Sequence, residues 1–103
     1  MRAVRLSITF NDQLNELLAY GEDRFGMALV EQKKEIVYAT IEGFLARHPN
    51  AKRPDREHGL CAHPISKTPF VVLHDFDSAE LRVHFIFHKH ADLRDLDPLS
   101  AEW

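Results

Sequence analysis

Apolar and polar residues alternate strictly over the first strand-like segment of the chain. The apolar positions are Val4, Leu6, Ile8 and Phe10, and the polar positions between them are Arg5, Ser7 and Thr9. A period of two with one apolar face predicts a half-buried strand over Val4–Phe10. Asn11 or Asp12 then offers the side-chain oxygen that caps the N-terminus of a helix.

Apolar residues at helical spacing follow this strand in two blocks. The first block consists of Leu14, Leu17, Leu18 and Phe25, and the second of Val30, Val37, Ile41, Phe44 and Leu45. These blocks predict one helix to about Arg24 and another from about Met27 to Arg47. Gly26 is the predicted break between them, and His48–Pro49 ends the second helix. So short a break predicts an antiparallel helical hairpin.

A charged loop and three strands complete the predicted order of elements. The segment Pro49–His58 has two prolines and no large apolar residue, which predicts a solvated loop. Strands are predicted over Gly59–Ile65, Pro69–Phe76 and Glu80–His90, and the last two form a hairpin. The order β-α-α-β-β-β predicts an α+β fold, in which an α-hairpin packs on one face of an antiparallel sheet.

The hairpin register assigns side chains to the two faces of this sheet. The face toward the helices is predicted to hold Phe70, Val72, His74 and Phe76 beside Leu81, Val83, Phe85 and Phe87. The opposite face is predicted to hold Val71, Leu73 and Asp75 beside Arg82, His84, Ile86, His88 and His90. We expect this second face to be open and mildly basic, with Arg5 also on it and His63 as a further candidate. His74 is then a core histidine. A register error of one residue would exchange the two faces.

Length, composition and charge fit a single globular domain. The chain has 103 residues, 45% of them hydrophobic and 28% charged, and a net charge of −3. We expect a core over about 3–90 and an acidic tail over 91–103, whose Trp103 either packs on the body or frays. The acidic balance argues against a general nucleic-acid binder. No apolar run is long enough for a membrane span, and no signal peptide or internal disulfide is indicated, so we expect a cytoplasmic protein.

Histidines are the main candidates for chemistry. A metal-independent ribonuclease needs an acid, a base and a cation, which His84 or His88 together with Arg82 or Arg94 would supply. The alternative is that these histidines only occupy a half-exposed sheet face. His88 and His90 are too few ligands for a zinc site, so no metal and no cofactor are expected. Cys61 is interpreted as a small buried residue.

The order of elements and several short motifs resemble the RelE/ParE superfamily of bacterial toxin–antitoxin toxins. The resemblance spans about Val4 to Asp92. It is carried by Ile8-Thr9-Phe10, Leu14, Leu17-Leu18, Tyr20, Phe44-Leu45, Pro49…Lys52-Arg53-Pro54, Gly59-Leu60, Phe70-Val71-Val72-Leu73 and the last strand Leu81–His88. It implies that the chain is the toxin of a toxin–antitoxin module of the plasmid-stabilisation type. A cognate antitoxin would neutralise this toxin by forming a hetero-oligomer with it.

The resemblance leaves three functions open. A ParE-like toxin inhibits DNA gyrase by binding, without chemistry of its own. A RelE-like toxin cuts messenger RNA in the ribosome, and a third possibility is a non-toxic binding module. The net acidity and the placement of both tyrosines, Tyr20 and Tyr38, in helices favour the ParE-like branch. The expected target-binding residues are Arg82, His84, His88, Lys89, His90 and Arg94; the catalytic residues of the RelE-like alternative are His84, His88, Arg82 and Arg94.

Overall fold

The computed structural model describes residues 2–49, 54–55 and 59–103. Its elements are β1 (Ala3–Leu6), α1 (Ile8–Phe25), α2 (Met27–Ala39), a π-helical segment (Thr40–Leu45), β2 (Pro54–Asp55), β3 (Leu60–Pro64), β4 (Phe70–Phe76) and β5 (Glu80–His88). The α+β class and the helical hairpin are confirmed. Most of the predicted loop Pro49–His58, including its cations Lys52, Arg53 and Arg56, lies outside the described residues. No described helix is long and apolar enough to cross a bilayer.

The first strand ends at Leu6, four residues earlier than predicted. The prediction of a strand through Phe10, with a cap at Asn11 or Asp12, is wrong, because Ser7 already caps α1. The Ser7 hydroxyl accepts a hydrogen bond from the Phe10 N–H at 2.8 Å and donates one to the His84 carbonyl at 2.6 Å. A capped first turn therefore replaces the last residues of the alternating segment.

The helical hairpin follows the prediction closely. Gly26 separates the helices with a φ of 86°, a backbone conformation that glycine adopts without steric cost. The second helix changes at Thr40 to π-type pairing, shown by the Ala46 N–H donating to the Ile41 carbonyl at 3.1 Å. A continuous helical course therefore runs from Met27 to Leu45, near the predicted end.

The described strands form one sheet in the order β1-β5-β4-β3-β2. The pairs β2–β3, β3–β4 and β4–β5 are antiparallel, as predicted for the three long strands. The sheet is nevertheless mixed rather than wholly antiparallel, because β1 runs parallel to β5, with Arg5 opposite Arg82. The short strand β2 also lies inside the segment that was predicted to be a loop.

A bulge in β5 overturns part of the predicted face assignment. Leu73 pairs with Phe85 and His74 pairs with Val83, so His84 is an extra residue between them. An extra residue interrupts the alternation of side chains between faces. From Phe85 onward each side chain of β5 therefore lies on the face opposite to the predicted one.

The corrected faces carry separate apolar cores. The core under the helices contains Phe10, Leu14, Leu18, Val30, Val37, Ile41, Leu45, Ile65, Phe70, Val72, Leu81, Val83 and Ile86. The other core contains Leu60, Leu73 and Phe85, with Ala62, Phe87, Leu93, Leu96 and Ala101 packed against it. The predicted open face is thus covered by the C-terminal residues, so the expectation of an open face is wrong. Of the two alternatives for the tail, the structure shows packing on the body.

Candidate functional site

Exposed basic residues follow one another where β5 ends. His88, Lys89 and His90 are all exposed, and Arg94 follows in the tail. We call these four residues the β5-end cluster. The rings of His88 and His90 lie 5.4 Å apart, and the His90 N–H donates to His88 Nδ1 at 3.2 Å. The cluster therefore presents two imidazoles and an ammonium group to solvent from one turn.

The backbone fixes this turn against the neighbouring strand. The Lys89 N–H donates to the Pro69 carbonyl at 2.7 Å, and the Ala91 N–H donates to the His88 carbonyl at 2.9 Å. Arg94 is held by Asp92 through a 2.7 Å ion pair in which both side chains are largely exposed. Because this pair is solvated, it restrains Arg94 only weakly.

Arg82 lies in a different environment from the β5-end cluster. Its guanidinium contacts three carboxylates, those of Asp75, Asp77 and Glu80, at 2.8 to 3.0 Å. These hydrogen bonds, that of Asp75 first, raise the pKa of Arg82 further. The same contact lowers the pKa of the exposed Asp77 to about 2. Arg82 is therefore already neutralised by its own sheet.

His84 shares a carboxylate with Arg82. Its Nε2 lies 2.8 Å from Asp75 Oδ1, and its ring meets that of Trp103 edge-on at 4.8 Å between centroids. Burial would raise the pKa of Asp75, but the hydrogen bonds from Arg82 and His84 bring it below its usual value. Only 14% of the His84 side chain is exposed. The sheet face that the C-terminal tail covers, here called the tail face, thus holds an ion-paired network rather than a free imidazole.

The predicted site residues therefore fall into separate groups. His88 pairs with Phe70 and lies toward the helix side of the sheet, whereas His84 lies at the bulge on the tail face. The structure brings Arg82 and His84 together, and it brings His88, Lys89 and His90 together. It does not bring His84 and His88 together as an acid–base pair. The role of each group in target binding stays a prediction.

Two other histidines lie under the helices. His74 is a core histidine as predicted; it is 1% exposed, and its Nε2 lies 2.8 Å from the Pro49 carbonyl. Burial lowers its pKa. His63 was a candidate for the open face, but it pairs with Val72 and is buried, with its ring 5.6 Å from that of Phe44. This candidate placement is therefore wrong.

Cys61 and metal binding add nothing to the site. Burial, and secondarily Asp75, raise the pKa of the partly buried Cys61 thiol, which disfavours the nucleophilic thiolate. Within 2–49 and 59–103, no group of three or more histidine, cysteine or acidic side chains is arranged to hold a metal ion.

An apolar groove of about 350 Å³ adjoins the β5-end cluster. Its walls are Leu17, Leu18, Tyr20, Gly21, Arg24, Phe25, Val30, Lys33, Pro69, Phe70 and His88. Tyr20 and Phe25 are more than half exposed, which is unusual for large apolar side chains. The Arg24 guanidinium donates a hydrogen bond to the Tyr20 hydroxyl at 3.0 Å. The groove thus has an apolar floor and basic groups at its rim.

The sequence analysis did not predict this groove, and it gave packing of Trp103 on the body only as one of two alternatives. The signal for the groove was present: Tyr20 and Phe25 lie near the end of α1, beside a glycine break that leaves them little to pack on. The Trp103 contact joins residues far apart in sequence, Arg5 and His84, and no local pattern indicates it.

Comparison with known proteins gives a structural match. No family model matches the chain, and no curated protein matches it. The chain is similar to a solved chain described as the chromosomal ParDE TA system from P. aeruginosa, with a TM-score of 0.76 and 14% sequence identity. The match covers 85% of this chain and 96% of that one. The chain therefore has the fold of that ParDE-system chain, and the predicted ParE-like fold is confirmed.

Proposed function

We propose that the chain is the toxin of a toxin–antitoxin module and acts, in the ParE manner, by binding DNA gyrase. The observation that carries this proposal is the fold, which matches a ParDE-system chain over 85% of this chain and 96% of that one. The net charge of −3 agrees with a protein target rather than with bulk nucleic acid.

The geometry of the histidines favours binding over catalysis. An acid–base mechanism on RNA needs two titratable groups and a cation converging on one phosphate. Arg82 is neutralised by three carboxylates, and the partly buried His84 contacts Asp75 and Trp103. Arg82 and His84 are therefore both engaged in contacts within the fold. The other predicted target-binding residues, which form the β5-end cluster, are exposed, and we assign this cluster to the contact with gyrase.

A supercoiling assay tests this proposal. Purified chain, added to gyrase at a one-to-one ratio, should inhibit ATP-dependent supercoiling of relaxed plasmid. The variant His88→Ala/Lys89→Ala/His90→Ala should lose most of this inhibition, and the exposed Lys34→Ala on α2 should retain it. Full supercoiling in the presence of folded wild-type chain would contradict the proposal. Full supercoiling together with harmless expression in cells would favour the non-toxic binding module.

A RelE-like ribonuclease is the second candidate, because His88 and His90 are close together and both exposed. Lys89 between them would then stabilise the charged phosphate. This function predicts cleavage of messenger RNA in a translating extract, lost in His88→Ala. Cleavage that survives this substitution would remove His88 from the mechanism.

The expected partner is an antitoxin, and the apolar groove is the surface we assign to it. An amphipathic segment would place its apolar side on the floor between Leu17 and Phe70, and its acidic side chains near Arg24 and Lys33. Phe25→Asp should weaken binding of the cognate antitoxin at least about tenfold, since a charge would enter an apolar contact. Leu99→Ala, far from the groove in the tail, is the matched control.

A further inference from the structure

The apolar part of the sheet face opposite the helices is covered by the end of the same chain. Leu60, Leu73 and Phe85 are at most 6% exposed there. Leu93, Leu96 and Ala101 pack on them. We call residues 93–103 the strap. It has no helix or strand, and its last residues contact the start of α1, Arg5 and His84.

The end of the strap is clamped at the start of α1. The Glu102 carbonyl accepts hydrogen bonds from the N–H groups of Ile8, at 2.7 Å, and Thr9, at 3.4 Å. In return, the Glu102 N–H donates to the Thr9 hydroxyl at 2.9 Å. The first-turn N–H groups of a helix have no partner within the helix, so the strap supplies one.

Trp103 completes this clamp. Its ring lies between the Arg5 guanidinium, 4.9 Å from the ring centre, and the His84 imidazole, which meets it edge-on at 4.8 Å. Cation–π and edge-to-face contacts both favour this arrangement. The indole is still 39% exposed, so the clamp is reached from solvent.

The middle of the strap is held much less firmly. Over 94–100, the hydrogen bonds that the structure describes are local ones, such as Leu96 N–H to the Leu93 carbonyl and Ser100 N–H to the Asp97 carbonyl. Leu99 is 90% exposed. A segment with few buried contacts and no backbone ladder opens locally at a lower free energy than the sheet beneath it.

We propose that this sheet face is a protein-binding surface, which the strap occupies in cis and a partner segment of the same chemistry displaces. That chemistry is visible in the strap itself: leucines three residues apart for the apolar face, acidic residues between them, and an aromatic residue at the end that stacks on Arg5. The sheet face under the strap lies apart from His88, Lys89 and His90 and from the apolar groove, and Arg94 is the one residue that the strap shares with the β5-end cluster. The inference therefore stands whether the target of the chain is gyrase or the ribosome.

Residue-resolved hydrogen exchange on the full chain tests release of the strap. The Ile8 and Glu102 amides report the clamp from its two sides. In the wild-type chain both should exchange at a common rate, faster than the buried Val72 amide of β4. In Trp103→Ala both should exchange roughly tenfold faster, with Val72 little changed, whereas Leu99→Ala should match the wild type. Exchange of Ile8 and Glu102 only through global unfolding would overturn the proposal.

Binding in trans tests the surface itself. A fluorescent peptide of residues 91–103 should bind the full-length Trp103→Ala chain at least about tenfold more tightly than the wild type, whose strap competes. A peptide of the same composition in scrambled order should not bind. Failure of the ordered peptide to bind a Trp103→Ala chain with native far-UV circular dichroism would overturn the proposal. If that variant does not fold, Arg5→Ala, which removes the exposed side of the clamp, takes its place under the same two criteria.

Discussion

Replacing Ser7 with alanine should destabilise the fold far more than the loss of one hydroxyl normally does. Ser7 is fully buried, and its Oγ joins the start of α1 to the bulge of β5. Loss of the helix cap costs about 1 kcal/mol. Loss of the bond to the His84 carbonyl, in a part-buried site, costs about 1 kcal/mol more. We therefore expect the free energy of unfolding to fall by about 2 kcal/mol.

Urea denaturation measures this loss. Trp103 is the single tryptophan and reports the tail side of the sheet, while far-UV circular dichroism reports the helices. The two probes should give coincident transitions with an unchanged slope, because the surface exposed on unfolding is the same. Ser78→Ala, at an exposed turn position, should change stability by less than about 0.5 kcal/mol. A Ser7→Ala chain as stable as Ser78→Ala would refute the proposed role of this hydroxyl.

Two further predictions concern backbone conformation and pH. Gly26→Ala should destabilise the chain by about 1 kcal/mol, because the φ of 86° at this position strains any residue with a Cβ. Gly43→Ala, with open space around its added Cβ, should instead stabilise the second helix by about 0.5–1 kcal/mol. Thermal unfolding midpoints that shift in the same direction for both variants would contradict this pair of predictions. Burial lowers the pKa of His74 below that of the unfolded chain, so the unfolded state takes up the proton first and stability should fall as pH drops below about 6.5. The pKa of Asp75 is also lowered, so a second loss should follow below about pH 4. His74→Gln should flatten only the first of these, and urea midpoints between pH 8 and pH 3 measure both.

The local periodicity of apolar residues was sufficient to predict most of the architecture. The helical hairpin, its break at Gly26 and the β4–β5 pairing all follow from side-chain spacing and a glycine, which are properties of neighbouring residues. The end of β1 was misjudged because Ser7 has a strand-like position in the alternation but also a buried partner, the His84 carbonyl, far along the chain.

The candidate site was predicted less well, for a physical reason. One extra residue at His84 reverses every later side chain of β5, and alternation in the sequence does not show where a bulge lies. Phe85 and Phe87 were therefore assigned to the wrong face, together with Ile86 and His88. Coverage of the tail face by Leu93, Leu96 and Trp103 depends on contacts with distant strands, which composition and charge do not encode.

The most direct test of the proposed function is whether the chain traps gyrase on cleaved DNA. Gyrase, ATP and closed circular plasmid are incubated with the purified chain, then treated with detergent and protease, and linear DNA is quantified. Linear DNA should accumulate with the wild-type chain and with Lys34→Ala, and not with His88→Ala/Lys89→Ala/His90→Ala. Linear DNA at the level of gyrase alone, with a wild-type chain shown to be folded, would contradict it.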